Sequence, residues 1–283
     1  METADHPVRI AVCIASRGRP AALAGVVMAA QRLQSCTNHL AFSLALDDDD
    51  VKSIQMFETL AQSGEVNVHA DIAPRDSSIA AAQNRAVRLA MGAEIVTLLS
   101  DRAFVITPGW DVGVVDAAIR HANRLLWWSC PHDPDTTMPI FPHTILDQVG
   151  WQPHPEIYPY WYIDTHWAEI DRMVFGGPSL RIRPMYAGAR AQTTRGRDFA
   201  FWSRLFAGLR PKRVDEAKRL ADALALPWND PSPEMLADFY ARDRHLAQHA
   251  DDFEARFGDK SPPDEAYLAA KARAEDMLKE IGG

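Results

Sequence analysis

Apolar residues in the first two-thirds of the chain fall into short, near-continuous runs separated by segments of helical period. Residues 8–15 (Val-Arg-Ile-Ala-Val-Cys-Ile-Ala) predict a strand covered on both faces. Ser16-Arg17-Gly18-Arg19-Pro20 ends it, and residues 21–33 predict a helix with Pro20 beside its first turn. Strands follow at 40–46, 66–70 and 95–99, with helices over 51–62 and 77–91 between them. The second strand stops on Asp47-Asp48-Asp49-Asp50, the fourth on Ser100-Asp101. A helix over 111–123, a strand over 124–130, a helix over 162–175 and a last strand over 180–184 complete the pattern. Residues 131–159, rich in Pro, His and aromatics, read as irregular covering structure.

Alternating strands and helices predict an α/β fold with a mainly parallel sheet and right-handed crossovers. After about residue 188 the β-like runs cease, and helices are expected near 197–208, 212–225, 232–256 and 263–281. The expected organisation is a nucleotide-binding and catalytic domain over 1–190 and a helical region over 191–283.

The chain has 283 residues, enough for such a core, and a formal net charge of −8, which argues against general nucleic-acid binding. Three widely spaced cysteines, Cys13, Cys36 and Cys130, point to a reducing compartment. The polar start lacks a signal-like apolar core, and no run approaches the ~18 apolar residues of a membrane span. A cytoplasmic enzyme is expected. Neither G-x-G-x-x-G nor G-x-x-x-x-G-K-[ST] occurs, which argues against dinucleotide dehydrogenases and P-loop kinases; H-E-x-x-H and paired C-x-x-C are absent too.

The chemistry gathers at strand ends, where open α/β sheets bind ligands. Ser16, Arg17 and Arg19 follow the first strand; Asp47 and Asp49 follow the second; Asp101 and Arg102 follow the fourth. Carboxylates can accept hydrogen bonds from a base or ribose, and arginines can meet phosphate. The Asp run also suits a helix N-terminus. Asn84, on the Ala-rich helix, reads either as a diphosphate contact or as part of a polar face.

Taken together, Ile14-Ala-Ser-Arg-Gly-Arg-Pro20, Leu44-Ala-Leu-Asp-Asp-Asp-Asp50, the small-residue helix bearing Asn84-Arg85, and Leu99-Ser-Asp101 with Thr107-Pro-Gly-Trp-Asp111 resemble a family-2-type glycosyltransferase of GT-A fold. The resemblance covers roughly the first 185 residues. It implies a nucleoside-diphosphate sugar donor, UDP-linked by default, a saccharide-type acceptor, and transfer with inversion, as in polysaccharide biosynthesis. It implies that Ser16, Arg17, Arg19, Asp47, Asp49 and Asn84 meet the nucleotide, and that Asp101 and Arg102 meet the diphosphate. Asp164, in Tyr162-Ile-Asp-Thr-His166, is then the base, with Trp161 and His166 toward the acceptor. Mg²⁺ or Mn²⁺ on Asp101 is also implied, yet Arg102 and Ala103 stand where the second acid is expected, and no His lies between His166 and His245. Arg102 itself can neutralise diphosphate charge instead.

Trp110 reads as core, a sugar platform being the alternative. The aromatic and basic stretch 199–213 reads as a packed helix with its cations outside, peripheral membrane contact being the alternative. A rival function is a non-catalytic nucleotide-sugar binder or scaffold. A sugar-nucleotide pyrophosphorylase is disfavoured by the single glycine in the first loop.

Overall fold

The computed structural model describes residues 7–121, 124–129, 138–158, 162–176, 179–188, 197–258 and 262–282. The chain divides into two compact units. The first comprises Met1–Asp76, Ala81–His154 and Pro178–Ala189; the second comprises Ser77–Ala80, Pro155–Gly177 and Arg190–Gly283.

The first unit is built on a mixed sheet. Strands β1 (Arg9–Ser16), β2 (His39–Asp47), β3 (Val68–Ala73) and β4 (Ile95–Leu98) are mutually parallel. β5 (Ala103–Val105), β6 (Leu126–Ser129), β7 (Pro139–Pro142) and β8 (Leu180–Gly188) extend it in the order β3-β2-β1-β4-β7-β6-β8-β5. Helices α1 (Pro20–Leu33), α2 (Val51–Ser63), α3 (Ile79–Leu89), α4 (Trp110–Arg120) and α5 (His143–Gln148) connect the strands. From β1 the chain steps outward to β2 and β3, then returns to the other side of β1 for β4. The strand order therefore reverses between β1 and β4, the crevice where such sheets take ligands.

Covered on both faces, β1 and β2 are buried along nearly all their length rather than on alternate residues. Val12, Ile14, Phe42, Leu44 and Leu46 are wholly buried, each worth about 1.5–3 kcal/mol against exposure. β7 was expected as irregular chain, because prolines bound its four residues and a proline in a central strand is unfavourable. They stand only at its two ends, and the strand runs antiparallel to both β4 and β6. β5, of three residues, was also not expected, whereas α5, of six, is a short element of the kind expected within 131–159.

α1 grips the segment after Asp101 at several points. Gly109 N–H donates to Leu33 O at 2.7 Å, and Trp110 Nε1–H to Ala30 O at 2.9 Å. Ser35, just past the helix, donates both its N–H and its hydroxyl to the buried carboxylate of Asp111, and Asn38 adds a third bond. Midway along α1, a Cβ added to Gly25 would stand 3.0 Å from Cε1 of Phe104. Trp110 is fully buried, with its ring centroid 5.7 Å from that of Trp128, so it is core.

The second unit holds α6 (Ile163–Phe175), α7 (Phe199–Gly208), α8 (Arg210–Ala223), α9 (Pro233–Gln248), α10 (Ala250–Phe257) and α11 (Glu265–Gly282). One helix was expected over 232–256; the chain instead breaks at His249, the shared boundary of α9 and α10. Tyr158, Tyr162, Phe199, Trp202, Leu205 and Phe206 form its apolar centre. The aromatic stretch 199–213 is thus interior to this unit, and Arg210 and Arg213, expected outside, are buried with it. No helix among the described residues is long and apolar enough to cross a membrane.

Candidate functional site

The C-terminal ends of β1, β2 and β4 bring three expected groups together. Ser16, the last residue of β1, donates its hydroxyl to Oδ2 of Asp101 at 2.9 Å. Arg19 Nη1 donates to Oδ1 of the same carboxylate at 2.9 Å. Asp101 is 2% exposed, so its charge meets two donors in a site almost closed to water. The Arg19 side chain is 37% exposed. Arg102 is half-buried in the turn between β4 and β5, and its N–H donates to Ser100 Oγ at 3.3 Å.

Next to it, Arg17 Nη1 donates to Asp47 Oδ2 at 2.7 Å, and Arg17 Nη2 to Asp49 Oδ2 at 2.8 Å. The hydrogen bond to Asp49, then the pull of Asp47, makes the Arg17 guanidinium harder to deprotonate, and Arg17 in turn holds the Asp49 carboxyl below its usual range. Behind Asp47 lies Arg85 of α3, Nη2 at 3.6 Å. Arg85 is buried and donates to the carbonyls of Leu46 and Asp71 and to the carboxylate of Asp76. Asp47 therefore sits between two guanidinium groups, one toward solvent and one in the protein.

Asp50 divides the acidic run by role. Its carboxylate caps α2 through Ser53 N–H and accepts Gly18 N–H at 2.6 Å. Burial opposes its ionisation, but the bonds from Ser53 and Gly18 outweigh it and hold the carboxyl below its usual range. Gly18 has φ 68°, a conformation that costs a side-chain-bearing residue energy, and so turns its N–H onto Asp50.

Asn84 lies within α3. It is fully buried, donates from Nδ2 to His154 O at 2.8 Å and accepts His154 N–H at 2.9 Å. It ties the chain near residue 154 to α3.

In the second unit, Asp164 is half-buried in the first turn of α6 and accepts Thr165 N–H at 2.8 Å. Tyr162 precedes that helix with φ 74°, unusual for a bulky residue. Its ring stacks on Phe206 at 4.6 Å and its hydroxyl bonds Ser203, which hold it there. His166 is buried, with Nε2 at 3.2 Å from Glu216. Burial raises the Glu216 carboxyl, but the bond with His166 and nearby cations outweigh it and leave it below its usual range. His166 therefore faces the half-buried carboxylate of Glu216; it was expected toward the acceptor. Trp161, the other expected acceptor contact, lies outside the described residues, as do His132, Asp133 and Asp135 of the preceding segment.

Sequence reasoning missed a buried ionic cluster in this unit. Glu169 is fully buried and is met by Arg213 Nε at 2.6 Å, Arg210 Nη2 at 3.2 Å and Arg242. Asp243 is bonded by Arg210 and by Arg242. Arg213 stacks over Phe206 at 3.7 Å. Helical period gave no signal for it, because Glu169 lies about 120° around α6 from the stripe of Ile163, Trp167, Ile170 and Val174.

The residues around Asp101 do not fit a divalent cation as expected. Such ions take several oxygen ligands. Both Asp101 oxygens are engaged, one by a guanidinium, and the following residue is Arg102. Among the described residues no group of three His, Cys, Asp or Glu side chains gathers.

No family profile and no curated protein sequence matches the chain. Solved structures do. A Pyrobaculum calidifontis mannosyltransferase, PcManGT, in complex with GDP-Man and Mn²⁺, aligns over 98% of this chain and 83% of its own, with 14% identity and a TM-score of 0.57. Residues 1–349 of S. aureus TarS align over 97% of this chain and 81% of their own, at 10% identity and a TM-score of 0.55. The same TarS fragment in complex with UDP-GlcNAc aligns with a TM-score of 0.52, at 10% identity, over 97% and 83% of the two chains. At these identities the shared property is architecture, and the chain has the GT-A-like α/β fold seen in these glycosyltransferases.

Proposed function

We propose that this protein is a glycosyltransferase that moves a sugar from a nucleoside-diphosphate sugar to a saccharide-type acceptor with inversion. One observation carries the reading. Ser16, Arg17, Arg19, Asp47, Asp49 and Asp101 converge at the ends of β1, β2 and β4, where the strand order reverses. Asp47 and Asp49, with lone pairs beyond those that Arg17 occupies, offer acceptors to the base and ribose, and Asp101 marks the diphosphate. UDP is the first donor to test and GDP the second, as TarS and PcManGT have been solved with UDP-GlcNAc and GDP-Man.

Asp164 is assigned as base. As the acceptor hydroxyl oxygen bonds to the anomeric carbon, its proton passes to the Asp164 carboxylate, and the breaking C–O bond leaves its electron pair on the nucleoside diphosphate. Its place in the first turn of α6, after a residue locked by packing, supports a fixed orientation. Cytoplasmic placement belongs to the same proposal.

The engaged state of Asp101 favours a second reading, a nucleotide-sugar binder without turnover. Thermal denaturation with UDP, GDP, CDP and dTDP tests the first step, because a ligand of the native state raises the midpoint. Donor turnover over an acceptor panel tests the second. Binding without turnover favours the binder, and no shift with any nucleotide sinks both readings.

A further inference from the structure

We propose that Arg19, held by Asp101, neutralises the donor diphosphate in place of a divalent cation. The inference rests on the donor-site reading above. In the expected arrangement Asp101 would be a metal ligand. Its two oxygens instead receive Ser16 and Arg19, both at 2.9 Å. A carboxylate that is 2% exposed and accepts from both Ser16 and Arg19 acts as a positioning residue, anchoring Nη1 of the guanidinium bound to it.

Charge placement separates the three arginines near the strand ends. Arg17 is committed to Asp47 and Asp49, the residues assigned to base and ribose. Arg19 gives Nη1 to Asp101 while its side chain remains 37% exposed. A guanidinium carries five N–H groups in a planar fork, so one edge can grip Asp101 while another meets phosphate oxygens. Arg102 lies one residue beyond Asp101, in the turn between β4 and β5.

During transfer the β-phosphate oxygen that carried the sugar takes the electron pair of its breaking bond to the anomeric carbon. Arg19 stays protonated throughout and supplies charge and hydrogen bonds, not a proton. A fixed cation aimed at a leaving group does electrostatic work without reorganising.

The test is calorimetric titration of the full chain with UDP and GDP, and with uridine and guanosine, in EDTA and separately in MnCl₂. Diphosphate affinity is expected to agree within about twofold in the two buffers and to fall as NaCl rises. Arg19→Gln is expected to weaken the diphosphate about tenfold or more and to leave the nucleoside unchanged. Arg19→Lys, a point charge without the fork, is expected to recover only part of the loss. Diphosphate binding that EDTA abolishes and Mn²⁺ restores overturns the inference while leaving the donor-site reading standing. Full diphosphate affinity in a folded Arg19→Gln does the same. Failure of every nucleoside and nucleotide to bind in either buffer overturns both. The EDTA comparison uses the unmodified chain, so it decides the matter even if the variants do not fold.

Discussion

Ser16 Oγ lies 2.9 Å from Asp101 Oδ2, a bond that joins the end of β1 to the chain leaving β4. These two strands flank the point where the order of the sheet reverses. The bond therefore spans the crevice at its base, and Arg19 completes the hold on the carboxylate from the following loop.

Ser16→Ala removes one of those two donors and leaves a buried acceptor underbonded. A stability loss of about 1–3 kcal/mol is expected, read as a lower midpoint in denaturant at unchanged slope. A midpoint equal to that of the parent would mean that water replaces the hydroxyl.

Asp47→Asn and Asp164→Asn separate donor binding from chemistry. Asp47→Asn is expected to weaken nucleoside-diphosphate binding about tenfold, since it loses the charge held between Arg17 and Arg85. Asp164→Asn is expected to bind like the parent and to lose turnover by about 10²–10⁴-fold. Titration and single-turnover assays on both variants check this, and the opposite pattern would reverse the assigned roles.

Glu169→Gln leaves three arginines facing a neutral group in the interior, and a cost of about 3–5 kcal/mol is expected. Burial raises the Glu169 carboxyl, but Arg213, Arg242 and Arg210 outweigh it and hold it below its usual range. A depressed folded-state value means stability that is complete above the ordinary glutamate value of about 4.3 and is lost as pH falls through the folded one. The Glu216 carboxyl, lowered beside His166, adds in the same direction. Helical circular dichroism against pH should show this acid loss in the parent and a flatter curve in Glu169→Gln.

Trp110 distinguishes a core residue from a sugar platform. Trp110→Phe is expected to keep nucleotide affinity and turnover, while Trp110→Ala costs about 3–5 kcal/mol of stability. Loss of acceptor affinity alone in Trp110→Phe would restore the platform role.

The parallel half of the sheet was legible in the sequence because strands covered on both faces leave unbroken apolar runs, as at Val12, Ile14 and Leu44. β7 was not, because four residues bounded by Pro139 and Pro142 give no period to read and carry residues that usually exclude a central strand. The grouping of Asp47, Asp49 and Asp101 followed from strand ends alone. What those acids touch did not: Arg17, Arg19 and Arg85 lie on other elements, and only the register of β1, β2 and β4 brings them together. The same holds for Glu169, whose partners are 41 to 73 residues away in sequence. The bonds of Asn84 to His154 were not legible either, because a buried polar residue satisfied by backbone looks, in sequence, like one awaiting a ligand.

The grip of α1 on the chain after β4 has a mechanical consequence. Arg19, at the start of the helix, holds Asp101, while Ala30, Leu33 and Ser35, at its end, hold Gly109, Trp110 and Asp111. Fourteen residues at about 1.5 Å each make α1 a caliper with two jaws. Inserting one residue between the jaws would turn one of them by about 100° about the axis, so both could not close on the same segment. Phe104 against Gly25 stops the span from bowing toward the helix. The distance between the carboxylate and the start of α4 is thus gauged by a helix that contributes none of the reacting groups, and a change in its length would detune the crevice without touching it.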